Sequence, residues 1–287
     1  MSKASVVIQE HESLPASPPT RDEISISRRE WAAELWHFRE LLYFLAWRDV
    51  KVRYKQAAFG AAWAIIQPLF TMLIFTFFFG RMANIPSGGI PYPLFFYTTL
   101  VPWTYFAGTL GQAGNSLVSN ASLITKIYFP RILLPASAAL SGLLDFGVGS
   151  SFLVVMMLYY RVNPGWALLL WPLAVLEMLL VTMGISMLLA ALNVRYRDVK
   201  HVIPFVIQLG LFVSPVLYPV NYLSPRWRLL LALNPLTSVM EAFRACLFPN
   251  RQMDWNLMAA SSATSVAFFL VGALYFKKAE RTFADII

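Results

Sequence analysis

The chain has 287 residues, 58% hydrophobic and only 13% charged. That is more apolar surface than one soluble core can enclose, so lipid must cover the remainder. A net charge of +8 would suggest nucleic acid in a soluble domain, but here the basic residues sit at the N-terminus and in short clusters beside uncharged runs, where membrane topology and anionic lipid account for them. Cys246 is the only cysteine, which excludes an internal disulfide.

Residues 1–27 carry Glu10, Glu12, Pro15, Pro18 and Pro19 where a secretory signal needs an uninterrupted apolar stretch, so the segment reads as a disordered cytosolic tail. Ser27 and Glu30 have capping-box spacing and open an apolar stripe at Trp31, Leu35, Phe38, Leu42 and Leu45, interrupted by Glu34, Arg39 and Glu40. An amphipathic helix over 28–55 is predicted, lying in the membrane interface; a helix packed on a neighbouring soluble domain is the other reading. Arg48, Lys51, Arg53 and Lys55 close it as a basic collar that marks the cytoplasmic side.

Residues 56–287 read as one all-α integral membrane domain. Six spans are predicted near residues 59–79, 93–112, 132–159, 166–192, 202–220 and 256–276. The first has no charged residue from Phe59 to Phe79, enough at about 1.5 Å per residue to cross a hydrocarbon core of roughly 30 Å. Of the 23 Lys and Arg, seventeen fall in the N-terminal region, the second and fourth loops and the C-terminal tail, and six in the other loops. Both termini are therefore predicted to be cytoplasmic.

Two connections are more than links. Residues 113–131 hold small polar side chains and then Leu123, Ile124, Lys126 and Phe129-Pro130-Arg131, the pattern of a short cytoplasmic helix with a proline-enforced exit. After the fifth span come Arg226-Trp227-Arg228, the apolar run 229–233, a break at Asn234-Pro235 and a second run with Glu241 and Arg244. Each run is too short to cross, so two short helices dipping into the outer leaflet or the protein interior are predicted.

No lysine follows a glycine, so the phosphate-cradling element of a P-loop is absent. His11, His37 and His201 are scattered, and no Cys/His spacing suits a metal. Asp145 and Glu177 are the two acids inside predicted spans, a costly position. Each reads either as a polar contact in a translocation path or at a mobile helix interface, or as a partnered acid that fixes packing. Two aromatic stripes each carry one glutamine on a helix face: Trp63, Gln67, Phe70, Ile74 and Phe77 in the first span, and Phe205, Gln208, Phe212 and Pro215 in the fifth. Such faces suit sugar rings in a path; ordinary lipid-facing or core packing is the alternative.

Ordered blocks run along the chain from about Trp36: Arg53-Tyr54-Lys55 with Phe59-Gly60, Trp63 and Pro68; Pro102-Trp103; Leu123-Ile124 with Lys126, Phe129-Pro130-Arg131 and Leu134-Pro135; Asn193 with Arg195-Tyr196-Arg197-Asp198; Ser214-Pro215 with Tyr218; Asn234-Pro235 with Phe243-Arg244. In this order they resemble the membrane subunit of ABC-2 type exporters of polysaccharides and teichoic acids, with Phe59 where that family more usually has Leu. The resemblance implies a half-transporter in the bacterial inner membrane and not an enzyme. Two copies would form the channel, and two copies of a separate cytosolic P-loop ATPase would hold the ATP and Mg, leaving this chain without a cofactor. It further implies that the first and fifth spans line the conduit and that the N-terminal helix and 113–131 meet the ATPase. The outer-face helices, with Asn234, Pro235, Glu241 and Arg244, would gate the exit. The implied cargo is a lipid-linked glycan of O-antigen, capsule or teichoic acid type, with membrane lipid around the protein and no nucleic acid. Export of a smaller lipid or drug is one alternative. A membrane-embedded enzyme acting on lipid-linked sugars is another, although acids or histidines converging on one face would be expected of it.

Overall fold

The computed structural model describes residues 36–55, 62–196, 198–248 and 254–283. The N-terminal tail, the capping box with Trp31 and Leu35, Phe59-Gly60 and Arg197 lie outside the described residues. Among the described residues every regular element is helical: α1 (Arg39–Tyr54), α2 (Trp63–Phe75, prolonged by a π-helical turn, Thr76–Met82), α3 (Tyr92–Ser119), α4 (Ala121–Lys126), α5 (Leu133–Tyr159), α6 (Trp171–Arg195, led in by a 3-10 turn, Gly165–Leu170), α7 (Val199–Val213), α8 (Pro225–Ala232), α9 (Leu236–Leu247) and α10 (Trp255–Glu280).

Among the described residues four segments, Trp63–Met82, Leu133–Tyr159, Gly165–Arg195 and Trp255–Glu280, are long and apolar enough to cross a bilayer. The chain is a multi-pass membrane protein. The predicted second span falls on α3, whose 28 residues exceed the length needed but whose tyrosines and threonines make it less apolar. Those side chains face protein: Tyr97, Thr98 and Thr99 are fully buried, and α3 packs on α5, α6, α2, α7 and α9. The predicted fifth span, 202–220, is corrected. Helix α7 stops at Val213 because Ser214 turns to extended backbone ahead of Pro215, leaving 15 helical residues, about 22 Å long and short of a full crossing. The predicted outer-face pair is present as α8 and α9, divided at Asn234-Pro235.

Helices α2, α3, α5, α6, α7 and α10 alternate in direction. The start of α2 and the end of α10 therefore lie at the same end of the bundle as α1 and α4, where Leu45, Ile124, Leu133, Val194 and Phe276 share one apolar cluster. Helices α8 and α9 lie at the opposite end, where Trp171 packs edge-on against Phe243 with ring centroids 4.6 Å apart. Helices α6 and α10 cross most closely through glycines. A Cβ on Gly184 would fall 2.5 Å from the Phe269 Cα, and one on Gly272 would strike the Gly184 carbonyl, so only bare backbone fits. Asp254 caps α10, accepting from the Leu257 amide at 3.1 Å. Exposed aromatics gather at both ends, Tyr159, Trp166, Trp227 and Trp255 at one and Trp36, Tyr43 and Trp47 at the other, as expected of rings at two membrane interfaces.

Candidate functional site: a charged cluster heading a trough along α2

Leu45, Asp49 and Arg53 recur every four residues and so share one face of α1, which docks on the first half of α5. Leu45 is buried among Phe129, Leu133 and Leu134. One turn on, the Ser137 hydroxyl donates to the Asp49 carboxylate at 3.1 Å. At the end of the helix the Arg53 guanidinium and the Tyr54 hydroxyl each donate to the Asp145 carboxylate, one to each oxygen, and Arg53 also donates to the Gln112 side-chain oxygen of α3. Burial lowers the Arg53 pKa, with the Asp49 carboxylate opposing it, and the group remains a cation at neutral pH. The opposite face of α1 is exposed and carries Lys51 over the Trp47 ring at 5.6 Å.

This cluster opens into a cavity of about 620 Å³ between α2, α3, α5 and α7, walled by Trp63, Gln67, Trp103, Tyr105, Gln112 and Leu211. A second concavity of about 570 Å³ shares Arg53, Trp63, Gln67 and Asp145 with it and follows α2 past Phe70 to Ile74. The two form one trough with a charged head, aromatic and amide walls, and an apolar far end.

Most of the first aromatic stripe lines this trough: Trp63, Gln67, Phe70 and Ile74 do, while Phe77 is exposed beyond it. The second stripe is not brought to it. Phe205, Gln208 and Phe212 face outward from the molecule, and α7 contributes the adjacent face through Ile207 and Leu211. Asp145, one of the two intramembrane acids, is both a trough residue and a helix-to-helix contact. Glu177 accepts from the Ser262 hydroxyl at 2.7 Å and ties α6 to α10. Arg53 and Gln112 were not foreseen as site residues. Arg53 reads as part of a topology collar until its four-residue offset from Leu45 and Asp49 is considered, and Gln112 is one amide at the end of a predicted span.

At the other end, Asn234, Pro235, Glu241 and Arg244 form wall rather than lining. Arg244 is fully buried, pairs with Glu241 at 2.9 Å, donates to the carbonyls of Val216 at 3.0 Å and Tyr218 at 3.2 Å, and packs over the Phe95 ring at 4.1 Å. It thereby donates to the non-helical backbone that follows α7, where the Thr99 hydroxyl shares the Val216 carbonyl. Asn234 and Pro235 are held by α10, whose Ser261 and Ser265 hydroxyls donate to their carbonyls at 2.6 and 2.9 Å.

The 113–131 segment holds the predicted short helix, α4, but its side chains divide differently from the expectation of one docking surface. Ile124, Phe129 and Pro130 are buried in the protein's own core and Leu123 is half-buried, whereas Lys126, Ile127 and Tyr128 are exposed. Arg131 is occupied within the chain: its amide donates to the Glu280 carboxylate at 2.8 Å and its guanidinium to the Glu280 carbonyl, fastening this segment to the end of α10.

A family model described as ABC-2 type transporter matches residues 40–248. The O-antigen export system permease protein RfbA of Myxococcus xanthus is 31% identical over 258 residues, covering 88% of this chain and 98% of its own length. The protein of the same name from Klebsiella pneumoniae is 29% identical, with 88% and 97% covered. The polysialic acid transport protein KpsM of Escherichia coli is 22% identical, with 79% and 89% covered. The matched region takes in α1, the trough and both helices of the α8–α9 wall, and on that extent the chain belongs to the ABC-2 type transporter family.

Proposed function

We propose that this chain is the channel-forming permease subunit of an ATP-driven exporter that moves a lipid-linked polysaccharide, of O-antigen, capsule or teichoic acid type, from the cytoplasm across the bacterial inner membrane. The observation that carries this reading is the trough along α2, which has a charged head, aromatic and amide walls suited to sugar and an apolar far end, in a chain whose relatives are named for O-antigen export and polysialic acid transport. Two copies of the chain bring two troughs together, and the outward Phe205, Gln208 and Phe212 face of α7 meets the second copy or the cargo.

In this proposal the end of the bundle with α1 and α4 faces the cytoplasm, in keeping with the seventeen-to-six division of Lys and Arg. Two copies of a separate P-loop ATPase dock there against α1 and the exposed Lys126-Ile127-Tyr128 edge, with Ile124, Phe129 and Pro130 as the rigid base and Arg131 passing the load to α10. The α8–α9 hairpin shapes the outer exit around Asn234, Pro235, Glu241 and Arg244.

Deletion of the gene should abolish the surface glycan, with lipid-linked glycan accumulating inside, and the intact chain should restore display. Normal display in the deletion strain would refute the reading. An impermeant thiol reagent on whole cells should label a cysteine placed at Ser87 and miss one at Ser122; the reverse pattern would invert the topology. Cys246 is buried and gives little background.

A further inference from the structure

The head of the trough contains more cationic capacity than the fold uses. Arg53 has five N–H donors and commits them to two protein acceptors, Asp145 and Gln112, while its side chain remains 33% exposed toward the cavity. Both Asp145 oxygens are occupied, one by Arg53 and one by Tyr54, so the carboxylate is neither a vacant cation ligand nor an unengaged base. Asp49 is likewise engaged by Arg48 and Ser137. Within two turns of helix, Arg48, Lys51, Arg53 and Lys55 outnumber Asp49 even with Asp145 added, so the local field favours an anion.

From this charged head the trough runs on past Gln67 to Phe70 and Ile74. A sugar alone has no use for the apolar end, and an uncharged lipid has no use for a guanidinium held in place at the head. An anionic amphiphile uses both. Among anions, phosphate matches the planar guanidinium fork, which presents parallel N–H donors to two of its oxygens in a site where water competes less than in bulk.

We propose that Arg53 is the anchor of an anion subsite that takes the phosphate or diphosphate of an amphiphile, whose chain lies along α2 over Phe70 and Ile74. The assignment rests on the export reading and deepens it by naming the part of the cargo recognised here. Asp145 is a positioning residue: with Tyr54 it holds the guanidinium plane toward the cavity and compensates its charge while the site is empty, which a lone buried arginine could not sustain.

The test is native mass spectrometry of the purified full-length chain, with its co-purifying partners, in nonionic detergent and titrated with dodecyl phosphate, dodecanol and inorganic phosphate. Dodecyl phosphate should bind more tightly than either of the others. The paired variant Arg53→Gln/Asp145→Asn removes both charges together and should weaken it by about tenfold, the loss expected for one charge-assisted contact. Phe70→Ala alters an exposed side chain that the fold does not need and should weaken dodecyl phosphate severalfold while leaving inorganic phosphate unchanged. Wild-type affinity for dodecyl phosphate in the paired variant, or in Phe70→Ala, overturns the subsite. Dodecanol binding equal to dodecyl phosphate overturns the anion, and inorganic phosphate binding equal to it overturns the amphiphile. If the wild-type chain restores glycan display but its amphiphile binding ignores Arg53, the subsite alone fails; if it restores no display, the export reading fails whatever it binds.

Discussion

Two arginine–carboxylate pairs stand toward opposite ends of this bundle, and their surroundings assign them different work. Arg244 with Glu241 is closed in: the guanidinium is fully buried, receives an aromatic face from Phe95 and directs both terminal nitrogens at the backbone that follows α7. Arg53 with Asp145 is open: about a third of each side chain is exposed, the pair joins α1 to α5, and it faces the trough. A charge sealed on all sides completes a fold. The same pair of groups at the rim of a cavity has donors left for a ligand, so in a membrane protein burial, rather than residue type, separates a structural ion pair from a candidate site.

That contrast breaks first if Arg244 proves dispensable. Arg244→Met removes the cation that pairs with Glu241 and one donor each to the Val216 and Tyr218 carbonyls, at an expected cost of about 3–5 kcal/mol. The check is membrane level and thermal unfolding in detergent. Restoring apolar balance with Glu241→Leu in the same chain should recover part of the loss.

The next largest effect separates anchor from edge in the 113–131 segment. Ile124→Asp places an unpaired charge in the cluster around Leu45, Phe129 and Leu133 and should cost about 3 kcal/mol of the chain's own stability. Ile127→Asp changes an exposed side chain and should leave unfolding unchanged while lowering co-purification of the ATPase. Equal unfolding curves for the two variants would show that this division of the segment is mistaken.

The open pair should behave in the opposite sense to the closed one. Arg53→Gln/Asp145→Asn should change stability by no more than about 1 kcal/mol, because both groups are partly solvated, yet glycan display should fall severalfold. A stability loss matching that of Arg244→Met would make the two pairs equivalent and remove the distinction. Smallest in stability are Trp63→Ala and Phe212→Ala, each within about 0.5 kcal/mol because both rings are exposed. Trp63→Ala should lower export more than Phe212→Ala, since Trp63 lines the trough and Phe212 does not. Equal deficits, scored by surface glycan at matched protein level, would place Phe212 in the path through the second copy.

Hydropathy marks the peripheral helices strongly and the central one, though predicted, more weakly for a physical reason. Helices α2 and α10 are largely exposed and must match hydrocarbon, so their runs are plainly apolar. Helix α3 is sheathed by other helices and can hold hydroxyls that donate to neighbouring carbonyls, as Thr99 does to Val216 at 2.9 Å and Tyr92 to Leu217 at 3.0 Å. The early end of α7 was readable only as Ser214-Pro215, a signal that permits a break without requiring one.

The sequence by itself determined that the chain lies in a membrane, that its helices come in this order with a short pair after the fifth, and that its ordered motifs belong with ABC-2 exporters, because bilayer solvation and proline geometry act on contiguous residues. Only the tertiary structure decided that Arg53 belongs with Asp145 and Gln112, residues 92 and 59 positions away, and that Arg131 answers to Glu280, 149 positions away. It also decided which face of α7 lines the trough and which of two arginines is sealed in. Such choices depend on which surfaces meet after packing, and a single sequence carries no local signal for a contact made across the bundle.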